Sequence, residues 1–372
     1  MTISSMKARH RLSIAIAISA LTFGSTADAI DLATLGSAPA AQAGDPVRER
    51  LRLLERTPYA DDPAPLWSYN DGEVQARLDR AIERLGLLPA LRHDKLAVAL
   101  VDITEPMRPR VATANGDLMM YAASLPKIAI LLGAYEKASL GLLRIDPPFQ
   151  QKIDLMIQRS SNRAATDVME TVGREYIASV LMSPRYRLYD PLHNGGLWVG
   201  KDYASSIAWK RDPLHNVSHG ATAMQVARFY YMLSRGKLVS PYYSRRMLEV
   251  LGHTEIDTKF AKGILSVDPQ PTIFRKSGSW GTFNSDSAIV HRDDGKSYIA
   301  VALSDDRAGA DWLSSLIIEL DGIIAGLPVV QVASAPAPEV APEEERSRAW
   351  WRSLGAAARA PQEPAWPRRR TR

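Results

Sequence analysis

The chain has 372 residues and no cysteine, which excludes disulfide bridges, iron–sulfur clusters, thiolate zinc sites and a cysteine nucleophile. It also lacks the H-E-x-x-H pattern of zinc hydrolases and any glycine-rich phosphate-binding loop. We therefore expect no metal and no cofactor. With 46% hydrophobic and 23% charged residues, the composition is that of a globular protein with a real core and excludes global disorder.

The middle of the chain has no excess charge of either sign. Residues 1–29 carry a net charge of +2 and residues 332–372 carry +3, which together equal the whole formal charge of +5, so residues 30–331 sum to zero. The basic character therefore belongs to the two ends, and a nucleic-acid partner for the folded part is not expected.

Residues 1–29 have the plan of a secretory signal peptide. Lys7, Arg9 and Arg11 precede an apolar run over 12–23 and the small-residue site Ala27-Asp28-Ala29. The run is short for a bilayer span, so an uncleaved membrane anchor is the less favoured alternative. The pattern predicts a bacterial protein that is periplasmic or secreted, with residues 30–65 as a linker.

Residues 329–372 are expected to be a disordered tail, because a segment rich in Ala, Pro, Glu and Arg buries too little apolar surface to fold alone. Its Trp350, Trp351 and Trp366 and the run Arg368-Arg369-Arg370 offer a second interpretation, contact with an anionic envelope surface. A solvated tail is the favoured one.

Residues 66–328 are predicted to form one α+β domain. Strands are indicated at 95–104, 110–114 and 118–122 and again at 272–276, 285–292 and 297–304. Helices are indicated at 71–87, from Ser124 onward, at 148–158, 162–172, 222–234 and 309–324. This order predicts an antiparallel sheet built from N- and C-terminal strands, with a helical cluster between them.

The first chemical motif is Ser124-Leu125-Pro126-Lys127, at the start of a helix that is apolar on every side. A serine and a lysine three residues apart lie on one helix face. Burial lowers the pKa of a lysine, and a neutral amine can take the serine proton. The alternative is that Ser124 only caps the helix and Lys127 is a surface amine.

Two further motifs follow. Ser160-Ser161-Asn162 lies between two helices, where a hydroxyl and an amide can enter a cleft, or where Ser161 or Asn162 simply caps the next helix. Lys276-Ser277-Gly278 is expected at the end of a strand, where glycine allows close approach of a substrate and the lysine and hydroxyl suit a carboxylate. The alternative is an ordinary strand end.

In this order, the three motifs resemble the S-x-x-K, S-D-N and K-T-G set of the penicillin-recognising serine hydrolases, and within them the class A β-lactamase-like branch. The resemblance covers about 70–325. It implies that Ser124 becomes acylated with activation by Lys127, that Ser160 and Lys276 relay a proton to the leaving nitrogen, and that Asn162, Ser277 and Gly278 hold the substrate. It also implies an oxyanion hole made by the backbone N–H groups of Ser124 and Ser279.

Three departures from that family limit how many of its residue roles can be transferred to this sequence. Ser161 replaces the usual aspartate, and only 36 residues separate Ser124 from Ser160. The third departure is that no glutamate lies between Glu175 and Glu249, where class A enzymes carry the residue that activates the deacylating water. Asp190 and His193 are the nearby candidates for that role, although His193 is equally well explained as a loop histidine. We therefore expect slow deacylation.

Three functions stay open at this point. The favoured one is a β-lactamase-like serine amidohydrolase acting on β-lactam or related amide bonds. The second is a D,D-peptidase acting on peptidoglycan stem peptides. The third is a non-catalytic scaffold that binds cell-wall peptide, which intact motifs argue against.

Overall fold

A computed structural model describes residues 65–268 and 271–327. The expected signal peptide, nearly all of the linker, and the C-terminal tail lie outside the described residues. The strands are β1 Leu96–Asp102, β2 Arg110–Ala114, β3 Met120–Tyr121, β4 Tyr189–Asp190, β5 Gly195–Gly196, β6 Trp198–Val199, β7 His219–Ala221, β8 Thr272–Trp280, β9 Phe283–His291 and β10 Ser297–Asp305.

The helices, in chain order, are α1 Gly72–Arg84, α2 Leu88–Arg92, α3 Lys127–Ser139, α4 Pro147–Gln158, α5 Asn162–Val172, α6 Arg174–Met182, α7 Ala223–Ser234, α8 Pro241–Leu251, α9 Phe260–Leu265 and α10 Gly309–Ala325. Two single-turn 3₁₀ helices, Leu66–Tyr69 and Pro191–His193, complete the described elements.

The main sheet has the strand order β2-β1-β10-β9-β8 and is antiparallel throughout. The N-terminal strand β1 lies beside the C-terminal strand β10, with Leu96 opposite Ser304. The prediction of an α+β fold, with N- and C-terminal strands joined in one sheet and helices between them, is confirmed.

Successive residues of each strand face opposite sides of the main sheet, so the core has two parts, one on each side. Val98 and Leu100 face one side, where α1, α9 and α10 pack. Ala99 and Val101 face the other side and join the larger core of the helical cluster. Helix α3 lies in that larger core and is buried from Lys127 to Glu136, as its uniformly apolar sequence predicts. This burial fixes the start of α3 relative to the sheet.

Side-chain caps define two of the predicted helix starts. The Asp71 carboxylate accepts hydrogen bonds from the backbone N–H groups of Glu73 and Val74 at the start of α1. Thr222 accepts one from Gln225 N at the start of α7. Helices α6 and α8 were not predicted from the sequence.

One fully buried ion pair ties β8 to β9. The guanidinium of Arg275 contacts the Asp286 carboxylate at 2.7 Å, and neither side chain is exposed. Arg275 also donates to the carbonyl oxygens of Ile256 and Thr258. The pair therefore fixes the chain that enters α9 against the strand that carries the third motif.

Replacing Asp286 by Ala should lower the free energy of unfolding by about 3–5 kcal/mol, because it leaves the buried Arg275 guanidinium without a counter-charge. Urea unfolding followed by circular dichroism measures this. The matched control is Glu255→Ala, which removes the exposed Arg159–Glu255 pair and should cost about 0–1 kcal/mol. Equal losses for the two variants would contradict this account of the buried pair.

Candidate active site

The turn that presents Ser124 joins the short strand β3 to the buried helix α3. Ala122 N donates to His219 O at 2.8 Å, which fixes the turn to β7. Ala123 has φ +50°, a left-handed conformation that non-glycine residues adopt only when neighbours enforce it. Ser124 is partly exposed. It lies in the turn before α3 and not in its first helical turn as predicted, since the helix begins at Lys127.

The side chain of Lys127 is fully buried. Its Nζ donates to Ser160 O at 2.6 Å and to Asn162 Oδ1 at 2.8 Å, and it lies 3.4 Å from Ser160 Oγ. Burial lowers the pKa of Lys127 to about 7. The alternative of a surface amine is therefore wrong, and the lysine can lose its proton near neutral pH.

Ser160 connects the first and third motifs. Its Oγ accepts a hydrogen bond from Lys276 Nζ at 2.9 Å, while Lys127 Nζ lies on its other side. Like Ala123, Ser160 has a positive φ, +55°. Burial lowers the pKa of Lys276 well below its ordinary value, and the nearby Lys127 lowers it further. The Ser160 hydroxyl thus lies between two amines. Burial and mutual repulsion disfavour the state in which both amines are charged.

The two serines of the second motif differ in their contacts, since one caps a helix and the other contacts the two lysines. Ser161 Oγ accepts from Ala164 N at 3.2 Å and caps α5, as the capping interpretation expects. Ser160 makes the lysine contacts. The cap therefore explains Ser161 alone and leaves Ser160 free for another role.

Strand β8 brings its glycine against the backbone of the first motif. A Cβ atom built on Gly278 would lie 2.4 Å from Ala122 O and 2.6 Å from Ser124 N. Ser285 Oγ, from the neighbouring strand, donates to Ala122 O at 2.8 Å. Lys276-Ser277-Gly278 lies inside the nine-residue strand β8 and not at its end as predicted, because pairing with β9 continues to Trp280.

Successive side chains along β8 point to opposite faces of the sheet, so the residues of the third motif lie on two different faces. Lys276 and Gly278 face the helical cluster, whereas Ser277 and Ser279 lie on the side of the Arg275–Asp286 pair. Ser277 is buried, and Ser279 is exposed. Its hydroxyl accepts a hydrogen bond from Lys259.

Lys259 is a further residue of the site that the sequence did not reveal. Its buried Nζ donates to Gly278 O and to Ser279 Oγ, both at 2.6 Å. Burial lowers the pKa of Lys259 to about 8. It lies 17 positions before Lys276 in a segment without a motif, so only the fold shows that it borders the third motif.

The structure thus brings Ser124, Lys127, Ser160, Asn162 and Lys276 into one contiguous group with Ser277, Gly278 and Ser279 beside it. Lys127 Nζ is bonded to Ser160 and Asn162 and not to the Ser124 hydroxyl, which has no hydrogen-bond partner among the described residues. Catalytic hydrogen bonds are often looser in free enzymes than in their complexes. The backbone nitrogen of Ser124 lies against Gly278.

The two candidates for water activation contact other parts of the molecule. The His193 ring stacks on Trp67, with 3.9 Å between ring centroids. Asp190 pairs with Arg187 at 2.6 Å and caps the following 3₁₀ turn through Leu192 N. These contacts do not include the three motifs, so the structure gives the proposed role of His193 and Asp190 no support.

Tyr203 and His219 are the aromatic side chains beside Lys127. The Tyr203 ring centroid lies 4.5 Å from Lys127 Nζ and 4.2 Å from the His219 ring. Burial lowers the pKa of His219 to about 4, so its imidazole is neutral at pH 7. Neither residue belongs to a motif, and their distance from Lys127 in sequence hides the contact.

Comparison with known proteins supports the fold. A model of the β-lactamase enzyme family matches residues 145–320, a range that contains the second and third motifs. The solved structure of PBP-A is 16% identical and has a TM-score of 0.52, covering 69% of this chain and 98% of its own. The predicted resemblance to the penicillin-recognising serine hydrolases, class A β-lactamase-like branch, is confirmed.

Other penicillin-recognising serine hydrolase folds match equally well. A β-lactamase from Sphaerobacter thermophilus DSM 20745 is 17% identical, with a TM-score of 0.52 and coverage of 69% of this chain and 98% of that one. A mutant class A β-lactamase of the last common ancestor of Gram-negative bacteria is 16% identical, with a TM-score of 0.53 and coverage of 68% and 97%. A comparison with curated protein sequences finds no significant match.

Within residues 65–268 and 271–327, no three acidic or histidine side chains are grouped to hold a metal ion. Among the same residues, no helix combines the length and the apolar character needed to cross a bilayer.

The Lys127 amine should titrate near pH 7 because its burial disfavours the ammonium form. NMR of protein carrying lysine labelled with carbon-13 at Cε should show a resonance that titrates there and is absent in Lys127→Arg, whereas the resonance of Lys259, whose pKa burial lowers to about 8, should remain. A resonance with the ordinary lysine midpoint at this position would contradict the assigned environment.

Replacing Gly278 by Ala should slow acylation of Ser124 by a penicillin about 100-fold, because the new methyl group displaces backbone atoms of Ala122 and Ser124. The rate is measured from the intact mass of the protein in reaction mixtures quenched at successive times. Gly72→Ala, where an added Cβ meets nothing within 4 Å, is the matched control. An unchanged rate in Gly278→Ala would show that this close approach does not position the serine.

Proposed function

We propose that this protein is a serine amidohydrolase that forms an acyl-enzyme on Ser124 with β-lactams or related peptide amides. One observation carries the proposal. The buried Lys127 and Lys276 amines flank a single hydroxyl, Ser160, while the backbone of Gly278 lies against Ser124 N. A protein that only bound cell-wall peptide would not need two buried amines at one serine, since burying each costs free energy.

In the acylation step, Ser124 Oγ forms a bond to the amide carbon as its proton passes to the neutral amine of Lys127. The carbonyl oxygen gains the electron pair and is stabilised by the backbone N–H groups of Ser124 and Ser279. When the carbon–nitrogen bond breaks, the leaving nitrogen takes a proton from Ser160 Oγ, which is replaced from Lys127 or Lys276.

The surrounding residues suit a substrate with an amide and a carboxylate. Asn162 Oδ1 already accepts from Lys127, which leaves the NH₂ of this exposed side chain to donate to a substrate carbonyl. On the other side, Ser279 accepts a hydrogen bond from Lys259, whose positive charge favours a carboxylate. A penicillin and a peptide ending in a free carboxylate share this chemistry.

We propose slow deacylation. Among the described residues, Lys127 Nζ contacts Ser160, Asn162 and the Tyr203 ring and no carboxylate, so the glutamate that prepares water in class A enzymes has no counterpart at this lysine. The acyl group should therefore leave Ser124 much more slowly than it arrives.

The second candidate is a D,D-peptidase that acts on peptidoglycan stem peptides. The same observation favours it, because a missing carboxylate at Lys127 impairs β-lactam hydrolysis specifically. A single-residue mutant of PBP-A also has a solved acyl-enzyme complex with penicillin G and resembles this chain in fold. A periplasmic location, proposed from residues 1–29, would give either candidate access to its substrate.

Mixing the full chain with an excess of labelled penicillin should add one penicilloyl group, and Ser124→Ala should add none, because the ester forms on that oxygen. Intact mass over time separates slow turnover, which both candidates predict, from efficient β-lactam hydrolysis. A persistent adduct supports the slowly deacylating enzyme, rapid loss with ring-opened product indicates an efficient β-lactamase, and no adduct in the unchanged protein would overturn the proposal.

The rate of adduct formation should rise with pH through about 7. The sign follows from Lys127, whose amine accepts the serine proton only when neutral, and whose lowered pKa of about 7 makes the neutral form dominant above that pH. Rate constants measured from about one pH unit below that pKa to one above it test this. A rate that falls with pH, or is flat across the range, would contradict Lys127 as the base.

A further inference from the structure

Three consecutive residues, 201–203, form a strap over the catalytic lysine. The Lys201 carbonyl lies 3.0 Å from His219 Nε2, which donates to it in the neutral tautomer that this contact favours. The Asp202 carboxylate receives two hydrogen bonds from Arg174 of α6, at 2.7 and 2.8 Å. The strap is therefore fixed to β7 on one side and to α6 on the other.

Tyr203, the third residue of the strap, contacts the first motif at two points. Its hydroxyl lies 3.3 Å from Ala123 O and donates to the residue that precedes Ser124. Its ring covers Lys127 Nζ at 4.5 Å, and the His219 ring packs against it. Burial raises the pKa of Tyr203 well above its ordinary value, so the phenol stays neutral.

The Tyr203 ring lies over one side of the Lys127 amine, and the whole lysine side chain is buried. The amine uses Ser160 O and Asn162 Oδ1 as acceptors on its other sides. A phenol ring is attracted to an ammonium group by about 0.5–2 kcal/mol but cannot accept a proton from water as a carboxylate does.

We propose that Tyr203 is a positioning residue that prolongs the acyl-enzyme by keeping water from the face of Lys127. The inference rests on the proposed function, since it concerns the ester on Ser124. In deacylation a water oxygen bonds to the acyl carbon and the bond to Ser124 Oγ breaks. One water proton goes to Ser124 Oγ through Lys127, and the product leaves as a carboxylic acid that ionises.

The test compares adduct lifetimes after excess penicillin is removed from the full chain. Tyr203→Leu opens the face of Lys127 and should shorten the lifetime about tenfold, which is less than the roughly 100-fold or more that a fully positioned general base contributes. Tyr203→Phe keeps the ring and loses only the bond to Ala123 O, so its lifetime should stay within about twofold of the unchanged protein.

Two further readouts separate shielding from a merely structural role. Loss of structure would slow acylation without shortening the adduct lifetime. Hydroxylamine, a small neutral nucleophile, should remove the adduct faster in Tyr203→Leu than in Tyr203→Phe. A Tyr203→Leu protein that is acylated and keeps the original lifetime would overturn the inference while leaving the proposed function intact.

If the Tyr203→Leu variant does not fold, the Arg174→Gln variant tests the inference instead. It releases Asp202 from α6 without touching Lys127, so a shortened lifetime supports the strap and an unchanged one contradicts it. Absence of any adduct on the unchanged protein is a different result, because it removes the proposed function itself.

Discussion

The site depends on two amines buried around one hydroxyl. Ser160 Oγ lies 2.9 Å from Lys276 Nζ and 3.4 Å from Lys127 Nζ, and burial lowers the pKa of both lysines. Desolvation opposes two ammonium groups at this spacing, and so does their mutual repulsion. A proton shared among these groups is therefore easily moved, which is what proton transfer between a nucleophile and a leaving group needs.

The fold maintains this costly arrangement through elements that are rigid for other reasons. Helix α3 is buried on every side, so the position of Lys127 is fixed by packing of its apolar neighbours. The Arg275–Asp286 pair and continuous pairing with β9 hold β8, which carries Lys276 and Gly278. Ala123 and Ser160 both have left-handed backbone conformations, which cost free energy in non-glycine residues and persist where the surrounding structure holds them.

Much of this could be predicted from local sequence. Alternation and helical periodicity depend on near neighbours, and they identified the strands and helices that flank the three motifs. The composition of each motif likewise indicated Ser124, Lys127, Ser160 and Lys276. Their convergence follows from sheet order, which the pattern of strands at both ends of the domain suggested.

The missing parts depend on tertiary contacts between distant residues. Tyr203, His219 and Lys259 belong to no motif, and each gains its place through the packing of one loop or strand against another. The sequence suggested His193 and Asp190 for water activation because histidine and aspartate are common bases. In the structure His193 contacts Trp67, and Asp190 pairs with Arg187. Residue type suggests what a side chain can do, whereas only the fold decides what it can reach.

The proposed function rests on acylation of Ser124, with the ester carbonyl oxygen held by the backbone N–H groups of Ser124 and Ser279. A crystal structure of the protein soaked in penicillin tests this most directly. We predict continuous electron density from Ser124 Oγ to the opened lactam, with the ester carbonyl oxygen between the backbone nitrogens of Ser124 and Ser279. Density for an intact, unattached penicillin, or for an ester on any other residue, would contradict the account.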